Sequence, residues 1–372
     1  MRRNLIGTKF FCAVLALAAL SLTASAQTTA TPTPTPTTEV SLDEPEPTPT
    51  PTSDGDIILD GGARTGGTII NSDSDTTTTS GDGSGTSSVT AGTGGPEALA
   101  YDGTNVWVIR QFTNAVTRLR ASDGVKTGSY TVGQNPVAVI AAGSNVWVAN
   151  LESDTVTKLR ASDGALLGTY AAGDGPSALA YDGTNVWVAN RNANTVTKLR
   201  ASDGAKLGAY AVGKRPVGLL YQSGNVWVAN NLDDTVTKLR ATDGAKLGTY
   251  AVGDGPFALA SDGLNIWVTN FFSDSLTKLR ASDGVAVGTY LVGRAPAGII
   301  YDGSNIWATN SGNNTLIKVR PGDGFVLATY STGKRPFGIV SDGSYLWIAN
   351  FGSDTVSTTN IGAATTNTST AQ

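Results

Sequence analysis

A stretch of twenty residues that recurs along the chain decides the fold. Residues 145–164 read NVWVANLESDTVTKLRASDG, residues 185–204 read NVWVANRNANTVTKLRASDG, and residues 225–244 read NVWVANNLDDTVTKLRATDG. The frame is kept, while a window of four residues after the second Asn changes in each copy. A fixed period of 40 residues indicates a repeat architecture. One tryptophan falls in each period: Trp107, Trp147, Trp187, Trp227, Trp267, Trp307 and Trp347.

Each repeat reads as four short strands. In residues 176–215, the runs SALAY, VWVAN, TVTKLRA and LGAYAVG are separated by DGTN, RNAN and SDGA. Val, Trp, Tyr and Thr favour strands, Asp-Gly pairs mark hairpins, and helical periodicity is missing. Four antiparallel strands per repeat are typical of a propeller blade. We therefore predict an all-β, seven-bladed propeller over residues 86–360, with repeats that start at 96, 136, 176, 216, 256, 296 and 336.

The two ends of the repeat region predict how the ring closes. The last repeat supplies FGIVS, LWIAN and TVSTTN but no fourth strand. An orphan run, TSSVTAG at residues 86–92, precedes the first repeat and matches the missing strand. We expect it to complete the seventh blade, because an open ring would leave strand edges exposed to aggregation. Residues 361–372 are then a disordered tail.

The residues before the repeats predict export. Residues 1–26 combine basic residues, the apolar run FFCAVLALAALSL and a small-residue site that ends at Ala26, which are the features of a cleaved signal peptide. The apolar run is short for a membrane span, so we expect no transmembrane segment in the mature chain. The single cysteine, Cys12, lies inside this segment, so disulfides are not expected. The mature protein is predicted to be periplasmic, cell-surface or secreted.

Two low-complexity segments separate the signal peptide from the repeats. Residues 27–53 alternate Pro and Thr, which predicts an extended spacer. Residues 54–85 are rich in Gly, Ser, Asp and Thr and are expected to be a flexible linker. The two segments are therefore predicted to tether the propeller rather than to carry its function.

The repeat pattern VWVAN followed by TVTKLRASDGAKLGTYAVG and a Pro resembles the YVTN-type β-propeller repeats of bacterial exported and cell-surface proteins. WVAN and IWVTN stand where that family has Tyr-Val-Thr-Asn. The resemblance covers residues 86–360 and implies binding at the cell surface or in the periplasm, with some relatives acting as enzymes. A similar propeller, virginiamycin B lyase, relies on a catalytic histidine and a metal. This chain contains no histidine, so that activity is not carried over.

Composition removes most catalytic chemistry. A net charge of −4 does not favour nucleic-acid binding. The lack of histidine removes the commonest general base and metal ligand, and we expect no metal and no cofactor. Glu97 and Glu152 are the two glutamates of the repeat region, and both depart from the repeat pattern. As a pair they could hydrolyse a glycosidic bond, or they could be two surface positions that drifted.

Strand order predicts a face on which the repeats differ. In a meander, the loops after the second and fourth strands lie at one end of the blade, and these are the loops that vary. Exposed aromatic residues beside arginine are typical of binding surfaces, although turn loops also tolerate change. The predicted ligand-binding residues on this variable face are Arg110, Phe112, Glu152, Arg191, Lys214, Arg215, Phe257, Phe271, Phe272, Arg294, Lys334, Arg335, Phe337 and Phe351.

Other recurring residues are interpreted as structural. The tryptophans are expected to be buried between blades. The Asp or Asn before each third strand, such as Asp154, is expected to form an Asx turn rather than bind metal. Lys158, Arg160 and their equivalents are expected to pack against the next blade or pair with turn aspartates, a polyanion-binding belt being the alternative.

The sequence favours a monomeric, non-enzymatic scaffold that binds a protein or glycan partner on its variable face. A carbohydrate hydrolase or lyase that uses Glu97 and Glu152 is one alternative, and a purely structural surface module is the other.

Overall fold

The structure is a computed structural model that describes the backbone of residues 78–79 and 86–90 and all of residues 94–362. The predicted signal peptide, the spacer, most of the linker and the tail beyond residue 362 lie outside these residues. Within the described ranges, no helix is long and apolar enough to cross a membrane. One short 3-10 turn, Gln111–Thr113, is the helical element of the described residues.

The described residues form 29 strands, numbered here in chain order. Two precede the repeats: β1 (Thr78–Thr79) and β2 (Thr86–Thr90). Blade I contains β3 (Pro96–Tyr101), β4 (Asn105–Arg110), β5 (Ala115–Arg120) and β6 (Lys126–Thr131). Blade II contains β7 (Pro136–Ala142), β8 (Asn145–Asn150), β9 (Thr155–Arg160) and β10 (Leu166–Ala171). Blade III contains β11 (Pro176–Tyr181), β12 (Asn185–Asn190), β13 (Thr195–Arg200) and β14 (Lys206–Ala211).

Blade IV contains β15 (Pro216–Gln222), β16 (Asn225–Asn230), β17 (Thr235–Arg240) and β18 (Lys246–Ala251). Blade V contains β19 (Pro256–Ser261), β20 (Asn265–Asn270), β21 (Ser275–Arg280) and β22 (Ala286–Leu291). Blade VI contains β23 (Pro296–Tyr301), β24 (Ile306–Asn310), β25 (Thr315–Val319) and β26 (Val326–Ser331). Blade VII begins with β27 (Pro336–Ser341), β28 (Tyr345–Asn350) and β29 (Thr355–Asn360).

The strand pairing confirms the predicted seven-bladed propeller. Blades I to VI are each a four-stranded antiparallel meander in chain order. In blade VII, β2 pairs antiparallel with β29, with Val89 opposite Val356, so the N-terminal strand completes the last blade as predicted. The strand ends at Thr90, and β1 adds a short fifth strand beside it.

The first strands form the inner wall of the ring. Each first strand contacts the first strand of the next blade, and β27 contacts β3 to close the circle. The first strands therefore surround the ring axis, and the fourth strands lie at the rim. Because neighbouring blades face each other, both sides of each sheet are covered, and the core is divided into layers between blades.

Each tryptophan sits at the centre of one of these layers. Trp187 is fully buried and packs on Val226, Val228 and Leu239 of the next blade. The ring of Tyr210 lies 5.7 Å from it. A large aromatic residue at this point fills the wedge between two twisted sheets, which explains why the tryptophan is repeated in every blade.

Three further contacts recur at the end of the blades that carries the DGTN and SDGA turns, which we call the constant face. The Trp187 indole Nε1 donates to Asp182 at 2.8 Å. Lys198 Nζ lies 5.0 Å from the Trp187 ring centroid and donates to Ala241 O of the next blade at 2.7 Å. Lysine heads thus join neighbouring blades through backbone carbonyls.

The third contact explains the glycine of the constant turn. The ring of Tyr170 in blade II covers Gly204 in blade III, where a Cβ atom would overlap the ring. Gly204 also has a φ of +74°, in the left-handed region that favours glycine. Arg200 pairs with Asp203 of the same turn at 2.8 Å. The basic third strands are therefore occupied by contacts within and between blades, as the packing interpretation expects.

Candidate binding site at the channel mouth

The loops of the variable face share one backbone clamp. Asp154, which precedes the third strand of blade II, accepts a hydrogen bond at 2.8 Å from the backbone N–H of Gly175, 21 residues ahead. Asn194 does the same for Arg215 at 2.8 Å. The expected local Asx turn is wrong here, because the left-handed φ of these residues aims the side chain at the next connection. The clamp recurs with Asn114, Asp234, Asp274, Asn314 and Asp354.

A wall of phenylalanines lies on one side of the axis. Phe257 and Phe337 each follow the proline of a first strand, in blades V and VII, and their rings are 6.1 Å apart. The blade between them has Ala297 at this position, so no large side chain at the equivalent position separates the two rings. Phe271 contacts both, with centroid distances of 5.8 Å to Phe257 and 6.5 Å to Phe337.

The wall continues outward through Phe351 and Phe112. Phe337 lies 5.8 Å from Phe351, which lies 5.6 Å from Phe112. Arg335 stacks on this arc, with its guanidinium carbon 4.9 Å from the Phe351 centroid. Phe272 packs edge-on against Phe271 at 5.4 Å. Phe112 and Phe272 are exposed at the outer edge of the arc, whereas Phe337 is buried.

Charged residues occupy the other side of the axis. Glu97 follows the first proline of blade I and is half-buried. It interacts electrostatically with Arg191 of blade III and Arg335 of blade VII. Arg191 in turn interacts with Glu97, Glu152 and Asp174. The two glutamates singled out by the sequence therefore share one arginine. We call the end of the ring axis on the variable face, where the phenylalanine wall and these charged residues lie, the channel mouth.

Burial sets the protonation of this charged group. It raises the pKa of Glu97 to about 7, and the nearby Arg191 and Arg335 only partly oppose this shift. Burial also lowers the pKa of Arg191, against the charges of Glu97, Glu152 and Asp174. A carboxyl with a pKa near neutrality beside a partly desolvated arginine is typical of a functional site, although structural networks also produce it.

Four buried polar atoms at this mouth have no hydrogen-bond partner among the described residues: Glu97 Oε2, Gln111 Oε1, Arg191 Nε and Asn231 Oδ1. The amides are held in place through their other atom, because Gln111 Nε2 donates to Asn135 at 2.8 Å and Asn231 Nδ2 donates to Pro256 O at 3.2 Å. A buried polar atom left unpaired costs about 1–3 kcal/mol. Buried polar atoms of this kind are completed by water or by a polar ligand.

The other predicted residues lie away from this mouth or beneath it. Arg110 replaces a buried Asn and is itself buried, with contacts at the base of the loop. Lys214 is exposed and lies 3.9 Å from Asp233, and Arg294 and Lys334 are exposed on the outer loops. Arg215 is half-buried beside Lys214. Lys214, Arg294 and Lys334 are therefore solvent-exposed on loops of the variable face, and Arg215 occupies the repeat position of Arg335.

Three residues of the mouth were missing from the predicted set. Gln111 and Asn231 occupy the same repeat position as Arg191 and Phe271, the first residue after the second strand. Asn135 precedes a proline and bridges blades I and II, since it accepts from Gln111 and donates to Glu152 at 2.9 Å. Alignment of the repeats shows these positions as variable, but polar residues without charge gave no reason to select them.

Metal ligation is not indicated at this mouth. Among the residues that the structure describes, no group of three or more acidic side chains could hold a metal ion. Glu97, Glu152 and Asp174 all interact electrostatically with Arg191, and its positive charge disfavours a metal ion beside them.

No protein-family model matches the chain, and no curated protein matches it. Solved structures do match. A structure of Kuenenia stuttgartiensis hydrazine synthase has a TM-score of 0.64 and 17% identity, and the match covers 73% of this chain and 96% of that one. A streptogramin B lyase has a TM-score of 0.63, 19% identity and coverages of 72% and 93%. Virginiamycin B lyase from Staphylococcus aureus has a TM-score of 0.63, 16% identity and coverages of 71% and 94%. At these identities, the likeness shows the propeller fold alone.

Proposed function

We propose that this chain is a non-enzymatic binding module of the YVTN type, which takes a protein or glycan ligand at the channel mouth of its variable face. The observation that carries the proposal is the set of unpartnered buried polar atoms beside the phenylalanine wall. A concave site with apolar walls and a few fixed polar groups is the usual design of a ligand site.

The clamp of the variable face supports the proposal. It holds the loop backbones in the same way in each blade, while the side chains above it differ. A fixed backbone limits the entropy that is lost when a ligand binds. The variable face therefore combines a rigid frame with side chains that are free to specialise, which favours recognition over a purely structural role.

The setting of the module follows from the sequence. We propose that residues 1–26 direct export and that the Pro/Thr spacer holds a monomeric propeller away from its point of attachment. The ligand would then be a component of the periplasm, the cell surface or the surroundings.

The binding face can be tested with two matched variants. The first, R191Q with F271L, replaces mouth residues by those that blades I and II carry at the same position, Gln111 and Leu151. The second, L264A with F325A, removes exposed apolar side chains from the constant face, which are 78% and 60% exposed. Binding of saccharide and peptide libraries and of cell-wall material is measured by thermal shift and co-sedimentation.

We expect wild type and the constant-face variant to bind the same ligands and the mouth variant to lose them, with all three unfolding at similar temperatures. Equal binding by the two variants would place the ligand elsewhere and would overturn the proposal.

A hydrolase or lyase is the second candidate, because one observation favours it. Glu97 has a pKa raised to about 7 and shares Arg191 with Glu152. An acid held protonated near a second carboxyl is the pairing that glycoside hydrolysis requires. Turnover of a glycan panel by wild type, and loss of that turnover in both E97Q and E152Q, would establish it. Turnover that neither change affects, or no turnover, would exclude the pair.

A further inference from the structure

We infer that the ligand of the channel mouth is an uncharged saccharide, one sugar ring of which packs its C–H face on Phe257 while its hydroxyl groups meet the four unpartnered polar atoms. This inference rests on the proposed function and names the ligand class for that same site.

Phe257 provides an aromatic platform on which a sugar ring can pack. Phe257 is half-buried, and its neighbours Phe271 and Phe337 hold it at 5.8 and 6.1 Å between ring centroids. Arg335 covers the next part of the wall, since it stacks on Phe337 and Phe351. Phe257 is therefore the wall residue best placed to present part of a ring to the axis. A fixed aromatic surface costs little side-chain entropy when a ligand packs on it.

The four unpartnered polar atoms provide hydrogen-bonding groups of both kinds. Glu97, Gln111 and Asn231 offer acceptors, and Arg191 Nε offers a donor. Gln111 and Asn231 are only 2% and 1% exposed, so a ligand hydroxyl reaches their oxygens when neighbouring side chains of the variable face move aside. A hydroxyl group both donates and accepts, so one polyhydroxylated ligand can satisfy both kinds of atom.

The charged residues of the mouth favour a neutral ligand. Arg191 and Arg335 both interact electrostatically with Glu97, and their positive charges disfavour a cationic ligand. Glu97, Glu152 and Asp174 interact electrostatically with Arg191, and their negative charges disfavour an anionic ligand. A neutral ligand avoids both repulsions.

The polar atoms and the aromatic platform are distributed around the ring axis. The polar atoms come from blades I, III and IV, and the platform comes from blade V. Partners distributed around a circle fit a ring that carries hydroxyl groups along its perimeter. An extended peptide instead offers its groups in a line along a sheet edge or groove.

The inference is tested by isothermal titration of wild type and three variants with neutral trisaccharides of glucose, mannose, galactose and N-acetylglucosamine. Glucosamine and galacturonate oligomers and neutral hexapeptides form the comparison arms. F257V takes the residue of blades II and IV, N231L takes the residue of blade II, and F325A is the control on the opposite face. Unfolding midpoints establish that each variant is folded.

We expect wild type and F325A to bind at least one neutral trisaccharide, and F257V and N231L each to lose at least about 10-fold in affinity, as truncation of a binding anchor does. Peptide binding that F257V weakens, without neutral saccharide binding, would overturn the inference but keep the proposed site. Preference for a charged oligomer would also overturn it. Saccharide binding that neither F257V nor N231L changes would overturn both the inference and the proposed site.

Discussion

On the constant face the same side-chain contacts recur from blade to blade. The variable face repeats its clamp and the buried Asn that ends most second strands, but the loop side chains above them differ. The indole–carboxylate bond, the lysine to the next blade and the tyrosine over the turn glycine all lie at the constant end. At the variable end, the equivalents of Arg191 are Gln111, Leu151, Asn231, Phe271, Ser311 and Phe351. One end therefore holds neighbouring blades together, and the other is free to differ.

The difference teaches where a repeat protein can change. A constant-face side chain meets the same kind of partner in most blades. A change in one blade therefore disturbs a contact that the repeat pattern requires. The mouth residues contact blades that are not adjacent, as Phe257 contacts Phe337, so each position meets a different environment. The repeated contacts between blades are thus concentrated at one end and the differences between blades at the other. Four measurements test this division.

The largest effect is expected at the core of a blade. W187A removes a fully buried aromatic residue together with the lysine and tyrosine contacts on it, and should cost about 3–5 kcal/mol in the free energy of unfolding. Denaturant unfolding measures this. L264A, which truncates a constant-face side chain that is 78% exposed, is the control and should change stability by less than about 0.5 kcal/mol. Similar losses in the two variants would contradict the assigned role of the tryptophan.

The second effect concerns pH at the mouth. The pKa of Glu97 is raised from 4.5 to about 7 by burial, so between these values the folded chain holds more protons than the unfolded chain. The contribution of Glu97 to stability is therefore present at acid pH and is lost as pH rises toward 7. E97Q should remove this decline. The free energy of unfolding of E97Q, relative to that of wild type, should therefore be about 2–3 kcal/mol higher at pH 8 than at pH 4.

Unfolding free energies of wild type and E97Q across this pH range measure the effect. E152Q, which changes an exposed glutamate, should keep the wild-type profile. If the stability of E97Q declines with pH as that of wild type does, Glu97 ionises in the folded chain without cost and is not buried at the mouth.

The third effect compares blades that have the indole–carboxylate bond with one that lacks it. D182A leaves Trp187 Nε1 without its acceptor and should cost about 1–2 kcal/mol. Blade II has Ala142 where blades I, III, V, VI and VII have Asp and blade IV has Gln. Trp147 Nε1 is buried without a partner among the described residues. A142D should therefore gain stability, and a loss would show that the hairpin of blade II cannot place a carboxylate there.

This pair also has a pH signature. Burial alone would raise the pKa of Asp182, but hydrogen bonds from Asn185, Trp187 and backbone amides outweigh it and lower the pKa. The stabilisation should accordingly be present above the usual pKa of aspartate and disappear as pH falls through the lowered value. Unfolding of wild type and D182A should converge at acid pH.

The smallest effect concerns the backbone of the variable face. Ala295 has a φ of +50°, at a position where blades I, III and V carry glycine. A295G should gain up to about 1 kcal/mol, because glycine adopts this region without steric cost. The reverse change, G255A, should destabilise, because Gly255 has a φ of +66° and lies against the Phe272 ring. If A295G and G255A changed the free energy of unfolding in the same direction and by the same amount, the left-handed conformation would not be strained.

The frame of the molecule was predictable because its contacts are local in the repeat. Strand order, blade number and the closing strand follow from a period that each blade shares with its neighbour. The division into two faces follows from the meander. Burial of Arg110 was not predictable, because its replacement of a buried Asn resembles any other variation at the edge of a loop.

The 40-residue period alone predicts that seven similar blades form a closed ring and that the repeats differ at one end. Only the tertiary structure decided which of the differing residues meet. Glu97 and Arg191 come from blades I and III, and Phe257 and Phe337 come from blades V and VII. Ring closure brings such residues to a common axis, and no local pattern encodes a distance between blades that are not neighbours. Burial beside that axis, rather than residue type, raises the pKa of Glu97 and leaves polar atoms at the mouth without partners among the described residues.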